Sequence, residues 1–246
     1  MISGVNSALS GLEVCGGMVG VAAGNLANLN TTGYKSVRLA IGTNGSAQRG
    51  GSEVGRGAQI LSASRDYSSG PLLGSGNNLD LAIQGDGFFK VRQGGRDVYT
   101  RDGSFHLDKD RFLVDAQGNR LQPEAQLPEN AASIRVEPNG RLTALDAGGN
   151  VVAAANLTLT RFANPNGLES VGHNDYVPTG ASGAPLEFPP GTGGAGALAQ
   201  AALEGSNVDP PREMMNLIMG RHGFTANLKT LGTARGLLGS ILDIRA

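Results

Sequence analysis

From residue 5 to residue 26, apolar and small side chains return at alternating steps of four and three: Val5, Leu9, Leu12, Gly16, Val19, Ala23 and Leu26. That spacing traces one stripe along an α-helix, as in a coiled-coil seam. The same alternation returns at the other end of the chain in Leu217, Arg221, Phe224, Leu228, Leu231, Arg235, Leu238 and Leu242, where the two arginines contribute long apolar stems. Between these ends the period changes to two. Leu79, Leu81 and Ile83 alternate with Asp80 and Ala82, and further strand-like runs follow through Leu157–Phe162. Glycine pairs and Asn139-Gly140 stand between the runs as turns. The fold class expected is α+β, with N- and C-terminal helices packing as a coiled-coil-like pair around a central all-β domain. Neither stripe has another helix in the chain to cover it, so the two helices are expected to pack on each other and on further copies.

Local signals set the boundaries. Asn30, Thr31 and Thr32 fold their side chains onto the backbone readily, and Gly33 enters the left-handed conformation at no steric cost, so the first helix should end there. Residues 1–35 form the first division. Residues 36–75 hold seven glycines and only short apolar pieces such as Ala58-Gln59-Ile60-Leu61, which reads as an extended, loosely structured link. Residues 76–200 form the all-β domain, whose last part from 163 is rich in Pro and Gly and reads as coil. Residues 201–246 lead into the second helix, with Asp209 as its cap and Pro210 at its first position; Pro211 allows the start to slip by one residue.

Composition then changes the weight of these elements. Glycine supplies 39 of 246 residues, against a usual ~7%. Each glycine inside a helix costs up to ~1 kcal/mol relative to alanine. Gly16, Gly17, Gly20 and Gly24 in the first helix, and Gly220, Gly223, Gly232, Gly236 and Gly239 in the second, predict helices that order only when packed closely against others. The net charge of −1 offers no general attraction to nucleic acid or anionic lipid. Cys15 is the only cysteine, so no internal disulfide forms, and it reads as a small packing residue. The apolar run at 14–24 is too short to span a bilayer that needs ~20 residues. No Lys or Arg precedes Lys35, so no cleaved signal is expected, and export would use a route that reads none.

The search for chemistry finds little. His106, His173 and His222 lie far apart, with no partner at metal-ligand spacing. Asp108-Lys109-Asp110-Arg111-Phe112 begins like a calcium loop, but Phe112 replaces an acid and no glycine follows, so it reads as a charged turn. The Gly-x-Gly pairs lack a third glycine and a phosphate-binding lysine. No catalytic residue, metal or cofactor is expected, and no nucleic-acid partner. A cell-wall-directed secreted enzyme would need a compact acid pair or metal cluster in the β-domain. A soluble β-domain binding module would keep its ligand with both terminal helices removed.

Several stretches resemble one family. Asn25-Leu26-Ala27-Asn28-Leu29-Asn30-Thr31-Thr32-Gly33-Tyr34-Lys35 is similar to the N-terminal signature of the flagellar axial proteins, the rod and hook subunits. Val54–Ala58 with Asp66-Tyr67, Leu79–Phe89, Tyr99–Phe105, Gly167–Tyr176 with Ser182–Pro185, and Ala202–Asp209 resemble the same family in the same order. The resemblance implies a structural subunit of the distal-rod type, exported through the flagellar channel and polymerised helically into a hollow, torque-transmitting shaft; proximal-rod or short hook-type subunits are the alternatives. It implies copies of itself, other axial proteins, the export apparatus and ring proteins around the rod as partners, without membrane insertion. The assembly interface is expected at Leu9, Leu12, Val19, Leu26, Asn28 and Gly33 at one end and at Leu217, Leu228, Leu231, Leu238 and Leu242 at the other.

Overall fold

The computed structural model describes residues 2–49 and 52–243. They fall into two units, one built from the chain up to Asn28, Ser36–Asp66 and the chain from Val208, the other from Leu29–Lys35 and Tyr67–Asn207.

The first unit holds two long helices, α1 (Ile2–Ala27) and α2 (Pro210–Asp243), and an antiparallel ribbon of Val37–Thr43 with Ala58–Arg65. The helices run antiparallel and approach through small residues. A Cβ added to Gly11 would lie 2.6 Å from the Asn227 side chain, one on Gly223 would lie 2.6 Å from Cys15 Sγ, and one on Gly220 would lie 2.8 Å from Val19 Cγ2. The glycines that weaken α2 as an isolated helix are therefore the ones that let it approach α1. Gly16, Gly20 and Gly24 meet nothing within 4 Å. Helix α2 starts at Pro210 without the one-residue slip, and the Glu213 amide donates to Asp209 O at 3.0 Å. Helix α1 is long enough and, over Gly4–Ala27, apolar enough in composition to cross a membrane, a longer stretch than the run at 14–24 suggests.

The expected loose link is a correction. Val37, Leu39 and Ile41 alternate with exposed residues along one strand, and the ribbon lays Leu39 and Ile60 against Gly17 of α1: a Cβ there would lie 2.6 Å from Ile60 Cδ1. The period-two signal was present, but four glycines at 42–55 masked it. The Ala58 amide donates to Ser10 Oγ at 3.2 Å, which ties the ribbon's returning strand to the helix.

The second unit is β-rich. Its largest sheet has seven strands in the order Glu169–Gly172, Asp175–Val177, Arg96–Thr100, Phe89–Gln93, Arg120–Gln122, Leu113–Val114 and His106–Leu107. Its central hairpin turns at Gly94-Gly95, whose φ values of 55° and 85° fit the paired left-handed positions of a two-residue turn. A three-stranded sheet joins Ser133–Val136, Arg141–Leu145 and Val151–Asn156. Leu81, Phe89, Val91, Phe105, Leu121, Leu142, Leu159 and Leu198 belong to one buried core.

Residues 163–200 are more than coil. Asp175–Val177 pairs with Arg96–Thr100, Leu186–Phe188 with Leu159–Arg161, and Ala197–Gln200 with Leu81–Gln84. Runs of three or four residues carry almost no local pattern, and these pair with strands far away in sequence, so periodicity missed them. Likewise Ala202–Glu204, ahead of α2, is a strand paired with Leu72–Gly74.

Candidate functional site

The residues expected at an assembly interface divide by exposure. On α1, Leu9 is 60% exposed, while Leu12, Val19 and Leu26 are half-buried. On α2, Leu217 and Leu231 are half-buried and Leu228 is 48% exposed. Leu238 and Leu242 lie on the α2 backbone, and their side chains fall outside the described residues. The contact between the helices uses Gly11, Cys15, Val19, Gly220, Gly223 and Asn227, so most of the apolar stripe is left facing elsewhere. Met214, Met215, Ile218, Met219, Phe224 and Leu237, which sequence reasoning left out apart from Phe224, are also exposed by more than a third. Their i, i+4 spacing, Met214 with Ile218 and Met215 with Met219, puts neighbouring methionines and isoleucine on adjoining rows.

A polar clamp holds the opposite end of this unit. Asn25 is fully buried. Its Nδ2 donates to Val37 O at 2.9 Å and to Glu213 Oε1 at 3.0 Å, and its Oδ1 accepts from the Val37 amide at 2.9 Å. Asn216 Nδ2 donates to Glu213 Oε2 at 3.1 Å. One side chain in the last turn of α1 thus fixes the first strand of the ribbon and the first turn of α2. Asn28 instead turns back on its own helix, with Nδ2 donating to Gly24 O at 2.9 Å.

Gly33 belongs to the β-rich unit. It is buried with φ 66°, its amide donates to Glu204 O at 2.7 Å, and a Cβ there would lie 2.7 Å from the Arg101 carbonyl carbon. Helix termination explains only half of this glycine; close approach to Arg101 and Asp102 explains the rest. Thr32 Oγ1 donates to Asp102 Oδ1 at 3.0 Å, and Asn174 Nδ2 donates to Thr32 O at 2.8 Å.

Behind Gly33 lies a buried ion cluster. Lys35 Nζ is 2.7 Å from Glu204 Oε1, Arg101 Nη1 is 3.3 Å from Glu204 Oε2, and all three side chains are 2% exposed or less. The Gly70 amide donates to Glu204 Oε1 at 3.0 Å, Lys35 Nζ donates to Ser68 O at 2.8 Å, and Arg101 Nη1 donates to Gly85 O at 2.9 Å. Burial pulls the Arg101 guanidinium below its ordinary value, while Glu204 and Asp86 hold it up. Three stretches that look unrelated in sequence, around 31–35, 99–105 and 202–209, therefore meet at one set of charges. Sequence reasoning missed this cluster because Lys35 and Glu204 stand 169 residues apart.

Beside it, Phe88, Tyr99, Phe162, Tyr176 and Tyr67 pack edge to face, with ring centroids 4.9–5.8 Å apart. Burial, then the charges of Asp97 and Glu187, push the Tyr99 hydroxyl up to about 12. Asp175 is pushed up to about 6 by burial and by the nearby Asp115 carboxylate, against a hydrogen bond with Thr100.

Comparison with known proteins identifies these features. Residues 82–144 match the D1 domain of the flagellar hook protein FlgE/F/G, and residues 199–244 match the C-terminal region of the flagellar basal body rod FlgEFG proteins. The first match covers the centre of the β-rich unit and the second runs from its last strands through α2, a pairing that defines the flagellar axial class. The flagellar basal-body rod protein FlgG of Buchnera aphidicola is 35% identical over 234 residues, covering 89% of this chain and 90% of that protein. FlgG of Bacillus subtilis is 31% identical over the full length of both chains. The flagellar hook protein FlgE of Salmonella typhimurium is 35% identical over 153 residues, which are 58% of this chain but only 35% of that protein. The chain belongs to the family of flagellar basal-body rod proteins FlgG.

Proposed function

We propose that this chain works by assembly, burying the outward-facing residues of its two terminal helices against the helices of neighbouring copies. As a rod protein it is a structural subunit of the distal rod, and its chemistry is that of packing rather than catalysis. The observation that carries the proposal is the exposed row Met214, Met215, Ile218, Met219, Phe224, Leu228 and Leu237 on α2, with Leu9 on α1. Burying one such side chain fully contributes about 1.5–3 kcal/mol, so a few per subunit suffice to drive association. In this reading Leu9, Leu12, Val19, Leu26, Leu217, Leu228 and Leu231, joined by Leu238 and Leu242, face copies, and the coiled-coil-like seam closes between subunits. Asn28 and Gly33 shape the exit from the first helix.

The helices then line a hollow shaft that carries torque, with the β-rich unit as its outer layer. The divisions 1–35 and 201–246 serve as the assembly core, 36–75 as the connection and 76–200 as the outer domain. Other axial subunits continue the shaft at either end, ring proteins surround it where it crosses the periplasm, and the flagellar export apparatus delivers the chain without a cleaved signal.

Electron microscopy of the concentrated full chain, beside a chain lacking residues 1–30 and 206–246, tests this. The shorter chain keeps Lys35, Arg101 and Glu204 and should stay folded. Tubes from the full chain and none from the shorter one are expected. A full chain that stays monomeric at every concentration, or a shorter chain that still forms tubes, overturns assembly through the terminal helices; the first of these results favours a β-domain binding module.

A further inference from the structure

Arg101 has more donors than the ion cluster uses. The residue is 2% exposed, Nη1 serves both Gly85 O and Glu204, and the buried Nε donates to no group among the described residues. The guanidinium lies 5.1 Å from the centre of the Phe88 ring and forms part of the wall of a cavity of about 210 Å³. Tyr67, Phe88 and Phe162 supply aromatic walls, and Arg161 and Asp86 complete the lining. Arg161 Nη2 is 3.5 Å from Asp86 Oδ2, and its Nη1 donates to Gly193 O at 2.7 Å. The cavity wall thus carries two guanidiniums and one carboxylate, and that carboxylate is 72% exposed.

Two requirements meet in this space. A buried guanidinium donor without an acceptor is costly, and a charged acceptor forms the strongest hydrogen bond with it. Three aromatic rings favour hydrocarbon over water. A bare inorganic anion satisfies the first requirement alone, and a neutral apolar group the second alone. A carboxylate on a short hydrocarbon stem satisfies both.

We propose that this cavity binds such a carboxylate, delivered as an acidic side chain of a neighbouring copy of this chain. The choice of a neighbour rests on the assembly reading above. A free small acid gives up its translational freedom on binding, whereas a side chain held in place by packed helices arrives at high effective concentration. The chain carries 21 Asp and Glu residues from which to supply it.

The test titrates the ¹⁵N-labelled full chain with sodium propionate, sodium phosphate or propionamide and follows the arginine Nε–H signals, with that of Arg101 identified by its loss in Arg101→Lys. Propionate should shift the Arg101 signal saturably, with half-saturation at about 10 mM. Phosphate and propionamide should not. Ala163→Trp, placed at the exposed lining, should weaken the propionate response by about tenfold or more without changing the melting temperature. If Arg101→Lys does not fold, the signal lost from propionate response in Ala163→Trp makes the same assignment. No saturable shift with propionate, or an equal one with phosphate, overturns the site.

Assembly kinetics separate the sources. If a neighbour supplies the carboxylate, saturating propionate slows tube formation in the unaltered chain, and Ala163→Trp slows it without propionate. Propionate binding with unchanged assembly in both cases overturns the neighbour and leaves a free small carboxylate as the ligand. A chain that forms no tubes at all overturns the neighbour together with the assembly reading, while the propionate titration still decides the cavity.

Discussion

Leu121, Leu142 and Leu159 in the β-rich unit are 2% exposed or less, whereas Leu9, Ile218 and Leu228 on the terminal helices are 48–60% exposed. The same kind of side chain is spent differently in the two units. The β-rich unit closes its core on itself and goes further, burying a Lys-Glu-Arg cluster that only a well-ordered surrounding tolerates. The helical unit buries alanine, glycine and asparagine between its helices and leaves methionine, leucine and isoleucine outward. A subunit that must be stable before assembly and sticky during it needs both arrangements, and keeping them in separate units lets each be optimised without compromising the other.

Glu204→Gln presses hardest on this contrast. It leaves Lys35 and Arg101 buried without the carboxylate they share, and should cost the β-rich unit about 3–5 kcal/mol, read from denaturant unfolding. An unchanged midpoint would mean that the cluster is dispensable.

Asp175→Asn should act in the other direction. Because the carboxyl is held at about 6 in the folded chain against an ordinary 3.8, the folded state holds the proton more tightly. Stability is therefore lost as pH rises from about 4 to about 6, and the deficit persists above that; it amounts to at most about 3 kcal/mol. The variant should be more stable than the unaltered chain at neutral pH and lack this slope, which unfolding midpoints at pH 4, 5, 6 and 7 (roughly spanning the titration) will reveal.

Gly220→Val tests the helix contact. Its side chain would press on Val19 and the Cys15 carbonyl, and overpacking of this kind costs about 1–3 kcal/mol. Hydrogen exchange should rise in α1 and α2 and stay unchanged in the β-rich core. Leu228→Ala should have the smallest effect on the isolated chain, within about 0.5 kcal/mol, while slowing tube formation. The same truncation at Leu142 costs about 2–5 kcal/mol. Equal losses at the two leucines would erase the distinction between the units.

Much of this was legible from spacing. The four-three steps located both helices, Asp209-Pro210 located the start of α2, and Gly94-Gly95 and Asn139-Gly140 located hairpins, because each depends on neighbours within a few residues. The rod-protein resemblance was legible for the same reason, in short runs that persist in order. The ribbon at 37–65 was obscured by its glycines, and the strands after 163 by their brevity. The contact face of the helices was misjudged more deeply. Periodicity finds where apolar residues lie, and here the partner inside the chain takes the small ones.

The sequence by itself determined the element order, the helix ends and the outward apolar rows, since these follow from local conformational preference and the period of burial. Only the tertiary structure decided which face of α1 meets α2, why Gly33 is glycine on both counts, and that Lys35, Arg101 and Glu204 share one buried site. Those depend on which distant backbone segments come within hydrogen-bond and van der Waals distance, and no local rule of composition or spacing carries that information.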